Sequence, residues 1–189
     1  MLSPQNIPYQ LRIEGSMIDS VLRFYYEAYK DACFIPRRFN DFRDSHVGYF
    51  GSSMPSTINY LGRIRKFLIE ADKRDRKIMG LSGYIMKNYP FVSAQERATL
   101  NFVSRIEAQN KKALALVNTL LKEASIVNTM IKTSKFSPVL MKTISTRGEK
   151  TAIELASLLH MMEVEMLKVK AIIRRLIGFH GLHRVVRPT

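Results

Sequence analysis

The chain has 189 residues, 30 Lys and Arg against 16 Asp and Glu, and a formal net charge of +14. That length fits one domain, or one domain with an arm, and a compact chain of this size buries roughly 70% of its unfolded surface, so it folds without disulfides or metal. The single cysteine, Cys33, excludes an internal disulfide, no Cys/His spacing suggests zinc, and no membrane-length apolar run is present.

Residues 1–15 read as an irregular segment, because Pro4 and Pro8 oppose helix and Gly15 punctuates the end. No signal-peptide pattern occurs in this stretch, so synthesis in a cytoplasm is expected. Ser16, with Asp19 three residues on, opens a helix in which Ile18, Val21, Leu22, Tyr25, Tyr29 and Ala32 recur at helical spacing. Cys33, between apolar neighbours, is expected to be a small buried hydrophobe. Pro36 should stop the helix.

Residues 34–56 read as a long loop, rich in Gly, Ser, Pro, Asn and Asp, in which Phe34, Phe39, Phe42, Tyr49 and Phe50 alternate with Arg37, Arg38 and Arg43. A loop of that length in a compact domain is usually functional or ordered by a partner. A helix follows from about Ser56 to Met79, with Ile58, Leu61, Ile64, Leu68 and Ile69 on one face. Its other face holds Arg63, Arg65, Lys66, Lys73, Arg74, Arg76 and Lys77. Gly80 and Gly83 loosen the chain before Pro90.

Ser93 with Glu96 forms a capping box, and one helix is predicted from Ala94 to about Lys132. Its seam is Val103, Ile106, Asn110, Ala113, Val117, Leu120, Ala124, Val127 and Ile131, in steps of three and four. Asn110 is polar on that seam, the mark of a partner-specifying hydrogen bonder. After a short piece from Pro138, a second capping box at Thr146 and Glu149 starts a last helix that Gly178 should end. Its apolar residues, including Ile153, Ala156, Leu159, Met162, Met166, Val169, Ile173, Leu176 and Ile177, nearly encircle it, so it should be the most buried.

No strand-like alternation persists. The fold class is therefore all-α: residues 1–15 irregular, 16–90 a helical arm, and 91–189 an antiparallel helical bundle built on two long C-terminal helices.

The charge is uneven. Residues 1–50 are neutral overall, with six cations and six anions; residues 51–93 carry eight against three, and 94–150 ten against four. A field of that sign attracts nucleic acid or anionic lipid. The candidate binding residues are Arg37, Arg38 and Arg43 in the aromatic stretch, and Arg63, Arg65, Lys66, Lys73, Arg74, Arg76 and Lys77 on the helix. Lys111, Lys112, Lys122, Lys132 and Lys135 extend the charge elsewhere. Charged helix faces are also commonly just solvated, and that reading stands beside the functional one. Such residues hold phosphates without reading bases, and no compact helix-turn-helix reader is present, so little sequence preference is expected.

Catalytic patterns are missing: there is no GxxxxGK[ST], GxGxxG, GxSxG or HExxH. His160 lacks a preceding Glu at three residues, and His180 with His183 reads as tail polarity, so no metal or other cofactor is expected. No pair of carboxylates asks for acid–base work, and the chain is read as a non-enzyme.

In layout the chain resembles the major coat proteins of filamentous, enveloped archaeal viruses of the lipothrixvirus type. Residues 16–80 would be the arm that embraces DNA, and 94–177 the bundle that packs outward. The resemblance implies a virion structural protein, paired with a related subunit as a heterodimer. Many such pairs would be wound with neighbouring copies along A-form double-stranded DNA beneath a lipid envelope. Other readings are a cellular nucleic-acid-binding factor, a peripheral membrane scaffold, or an enzyme of unfamiliar helical fold.

Overall fold

The computed structural model describes residues 7–44, 50–135 and 137–185, and over these the protein is all-α. Six helices follow one another: α1 (Ile7–Ala32), α2 (Ile35–Asp44), α3 (Phe50–Asn88), α4 (Ala94–Val103), α5 (Ile106–Thr133) and α6 (Pro138–Val185).

The four long helices form a ring in which α1 packs on α3, α3 on α5, α5 on α6, and α6 back on α1. Neighbours run antiparallel. Along α1, Tyr25 and then Asp31 meet Asp75 and then Arg63 of α3. Lys112 and Glu123 of α5 meet Glu154 and Arg147 of α6, again in reverse order. The short helices cover the ends, α2 on α6, and α4 between α6 and α3. α1 and α3, expected to form an arm, thus supply two walls of the same bundle and share its core with α5 and α6.

The core is built from helical stripes, with Ile18, Val21, Tyr25 and Ala28 of α1 facing Leu61, Ile64, Leu68 and Ala71 of α3. The seam of α5 is buried from Ile106 through Val127 as its spacing predicts, with Met130 rather than Ile131 completing it.

Several boundaries differ from the sequence reading. The irregular segment over 1–15 is corrected from residue 7 onward, because Pro8 stands in the first turn, where its missing N–H breaks no helical bond; residues 1–6 lie outside the described residues. The loop expected over 34–56 is α2 and the start of α3. Ile35 and Phe39 give α2 a buried face of its own, and Pro36 stands in its first turn. Residues 45–49, including Tyr49, lie outside the described residues.

The single helix expected from Ala94 is two helices, split where the Ser104 hydroxyl donates to the Asn101 carbonyl at 2.7 Å. Ser93 caps α4 with the predicted box. In turn, α6 is one helix where a break was expected near Thr146. Ser137 accepts from the Leu140 N–H at its start, Pro138 occupies the first turn, and Gly178 lies inside the helix rather than ending it. Gly148 is required there, since a Cβ would run into the ring of Phe39 on α2.

Nor is α6 closed in on all sides: Ile153, Met161, Leu167 and Phe179 are exposed, interspersed with exposed Lys150, Glu154, His160 and Lys168. Cys33 is also exposed, against expectation, because α1 ends at Ala32 and the turn directs the thiol outward. It lines a hollow of about 280 Å³ with Tyr29 and His160.

Candidate nucleic-acid interface

α3 has 39 residues, roughly 58 Å at ~1.5 Å per residue, and it separates charge from core along its length. Leu61, Ile64, Leu68, Ala71, Ile78, Leu81 and Ile85 face inward. On the opposite side Arg65, Lys66, Lys73, Arg76, Lys77 and Lys87 are all exposed. Arg65, Arg76 and Lys87 stand eleven residues apart. Eleven residues are close to three turns, so these cations form a nearly straight row with steps of roughly 16 Å. Lys66 and Lys77 repeat the interval in a second row beside it.

Arg65, Lys66, Lys77 and Lys87 have no ionic partner among the described residues. Lys73 pairs with Glu70 at 2.5 Å, and this hydrogen bond holds the Glu70 carboxyl below its usual range. Arg76 lies 3.9 Å from Glu107 of α5 with 84% of its side chain exposed. Glu107 also holds Lys111 at 2.7 Å, which lowers the Glu107 pKa and joins the cations of α5 to those of α3. Such exposed pairs contribute little to stability and leave the cations available.

Two of the sequence candidates on α3 are held by contacts within the fold, unlike the unpaired cations of the row. Arg74 is half-buried: it donates to the Glu70 carbonyl at 2.8 Å and lies 5.3 Å from the centre of the Phe24 ring. Arg63 reaches the buried Asp31 of α1 at 3.3 Å and lies over the Tyr60 ring. On α2, Arg37 is 86% exposed and 3.8 Å from Asp41. Arg38 is half-buried, and its side chain has no ionic partner among the described residues. The side chain of Arg43 lies outside the described residues, as do those of His180 and His183.

The structure thus brings Arg65, Lys66, Lys73, Arg76 and Lys77 onto one face, and sets Arg37 and Arg38 apart on α2. Sequence reasoning missed Lys87, because the helix was expected to stop at Met79; the eleven-residue interval was the available signal. It also missed Tyr60, whose ring meets that of Phe34 at 5.6 Å between centres and 25° between planes.

Behind the cationic face lies a buried polar node. Tyr25 donates to the Asp75 carboxylate at 3.1 Å, and Asn110 Nδ2 lies 3.0 Å from Asp75 Oδ2, 3.0 Å from the Leu68 carbonyl and 3.2 Å from the Tyr25 hydroxyl. Burial pushes Asp75 up to about 6, against these hydrogen bonds and with Asp72 and Glu107 adding to the rise. Burial also raises Tyr25 well above its usual range, with Asp75 contributing. The node ties α1, α3 and α5 together, which is the role its position on the seam suggests for Asn110.

Among the described residues no group of three or more His, Cys, Asp or Glu is placed to hold a metal ion, and no helix is long and apolar enough to cross a membrane. No family model, no curated protein and no solved structure matches this chain.

Proposed function

We propose that this chain is a structural virion coat protein that polymerises on double-stranded DNA and wraps it through sequence-independent phosphate contacts. The observation that carries this reading is the exposed face of α3, with Arg65, Lys66, Lys77 and Lys87 free of ionic partners among the described residues. A straight row of cations suits a straight row of phosphates. Each phosphate neutralised releases condensed counterions, which supplies affinity without base contacts. The absence of a polar base-reading helix in the sequence agrees with a protein that must cover every sequence of a genome.

Polymerisation draws support from α6, whose exposed Ile153, Met161 and Leu167 stand among charged residues and give neighbouring copies apolar side chains to cover. Duplex in A-form, a related subunit as heterodimer partner and a lipid layer remain part of the proposal through the resemblance in layout. A second reading, a membrane scaffold, draws on the same cationic α3, since anionic headgroups present similar charge.

Negative-stain electron microscopy of the purified chain mixed with linear duplex DNA, with and without nuclease, tests the reading. Filaments that protect the DNA from digestion are expected. Discrete soluble complexes with digestible DNA would overturn it in favour of a cellular binding factor. Binding to anionic vesicles but not to duplex would favour the scaffold.

A further inference from the structure

At the end of the α3 track the surface changes character. Phe34, in the turn between α1 and α2, is 50% exposed, and its ring is stacked on Tyr60 of α3. The core at this corner is closed without it: Ala32 and Ile35 on either side are fully buried. The Arg63 guanidinium also lies against the Tyr60 ring, 5.9 Å from its centre. Arg63 is held by Asp31, of which only 2% of the side chain is exposed. The two rings and the cation are therefore fixed in place before any ligand arrives.

Further cations lie close to this stack along the chain. The Arg38 N–H bonds to the Phe34 carbonyl, so Arg37 and Arg38 stand one helical turn after Phe34 on α2. On α3, Tyr60, Arg63 and Lys66 follow at intervals of three, which places them on adjoining positions that climb toward the track. From Tyr60 to Lys66 the helix rises roughly 9 Å, close to the span of one or two nucleotides.

We infer that Phe34, Tyr60 and Arg63 form a stacking platform for an unpaired nucleobase, whose flanking phosphates are taken by Arg37, Arg38 and Lys66. Every base presents a π-face, so the platform is indifferent to sequence, as the track is. A paired base inside a duplex keeps its faces covered by its neighbours. The ligand is therefore a base at a strand end, gap or nick, or in a single strand. A lipid headgroup has no such face, so the platform distinguishes nucleic acid from membrane. The inference rests on the phosphate-binding reading of α3 for the position of the neighbouring strand, but its chemistry is separate.

The test uses the whole chain and three probes: a blunt duplex, the same duplex with a short 3′ overhang carrying 2-aminopurine, and the overhang strand alone. Wild type should bind the overhang duplex about tenfold more tightly than the blunt one, within the range for base–aromatic stacking, and should quench the 2-aminopurine. Phe34→Leu, at a half-exposed position, keeps the fold and the apolar bulk but removes the ring. It should lose the tenfold increment and the quenching while its affinity for blunt duplex stays unchanged. Phe34→Tyr should retain both. Equal affinity of wild type for the two duplexes, or full quenching by Phe34→Leu, would overturn the platform and leave the track intact. Quenching of the single strand without salt-dependent binding of either duplex would uphold the platform and overturn the coat reading.

Discussion

Behind the cations of α3, Asp75 keeps a carboxyl group out of water with no cation paired to it among the described residues. Its pKa stands at about 6 against an ordinary value of 3.8. Since the folded value lies above the unfolded one, the folded state binds this proton more tightly. The resulting stabilisation is fully present below about pH 4 and is lost as pH rises through 6. With 1.36 kcal/mol per unit, the ionised group costs the fold about 3 kcal/mol at pH 8 relative to its protonated form. Asp75→Asn preserves the shape and removes the charge. Chemical denaturation at pH 8 should find the variant more stable than wild type, by up to about 3 kcal/mol. The gain should shrink toward zero near pH 4. A variant less stable at every pH would show that the carboxylate holds Tyr25 and Asn110 more strongly than its burial opposes the fold.

At the scale of the helix, α3 makes a quantitative claim about its exposed cations. Each phosphate contact adds about 0.9 to the slope of log affinity against log salt for B-form duplex. Replacing Arg65, Lys66 and Lys77 together by Gln should lower that slope by about 3, uniformly across DNA sequences. Replacing Arg74 should leave the slope unchanged, because its guanidinium is turned onto Phe24 and the Glu70 carbonyl. A slope unaltered in the triple variant would remove α3 from the interface. The existence of this face could be read from sequence, because a helix that alternates Leu61, Ile64 and Leu68 with Arg65, Lys66 and Lys73 has one way to turn. The same periodicity exposed the α5 seam and its buried Asn110. What periodicity could not show is which cations are claimed by distant partners. Arg63 is taken by Asp31, and only the packing of α1 on α3 brings the two together. Nor could it show that residues 35–44, which open the Gly- and Pro-rich stretch after Phe34, form a helix. That outcome depends on Phe39 finding the space left by Gly148 on α6, a contact across more than a hundred residues. Cys33 departs from expectation for a local reason: it stands in the turn just past α1, where its apolar neighbour Phe34 is itself exposed and encloses nothing.

The whole molecule carries +14, and folding brings those charges closer than they stand in the open chain. Raising monovalent salt from about 10 mM to about 150 mM shortens the screening length from about 30 Å to about 8 Å, less than the length of α3. The free chain should therefore melt at a higher temperature in the saltier buffer. Each 1 kcal/mol of relieved repulsion is worth about 3 °C for a chain of this size. Loaded with duplex, the same protein should respond with the opposite sign. In the proposed complex phosphates would already neutralise the cationic rows, and added salt would displace them. A loss of about a thousandfold in affinity removes about 4 kcal/mol of ligand stabilisation, or roughly 10 °C. Melting curves of free and loaded protein taken across that salt range should converge as salt rises. If the free chain instead softened with salt, its ion pairs, such as Arg175 with Glu96 and Lys112 with Glu154, would outweigh its net repulsion. A polyanion would then not be needed to balance the surplus on α3, and the main physical motive for a nucleic-acid partner would be gone.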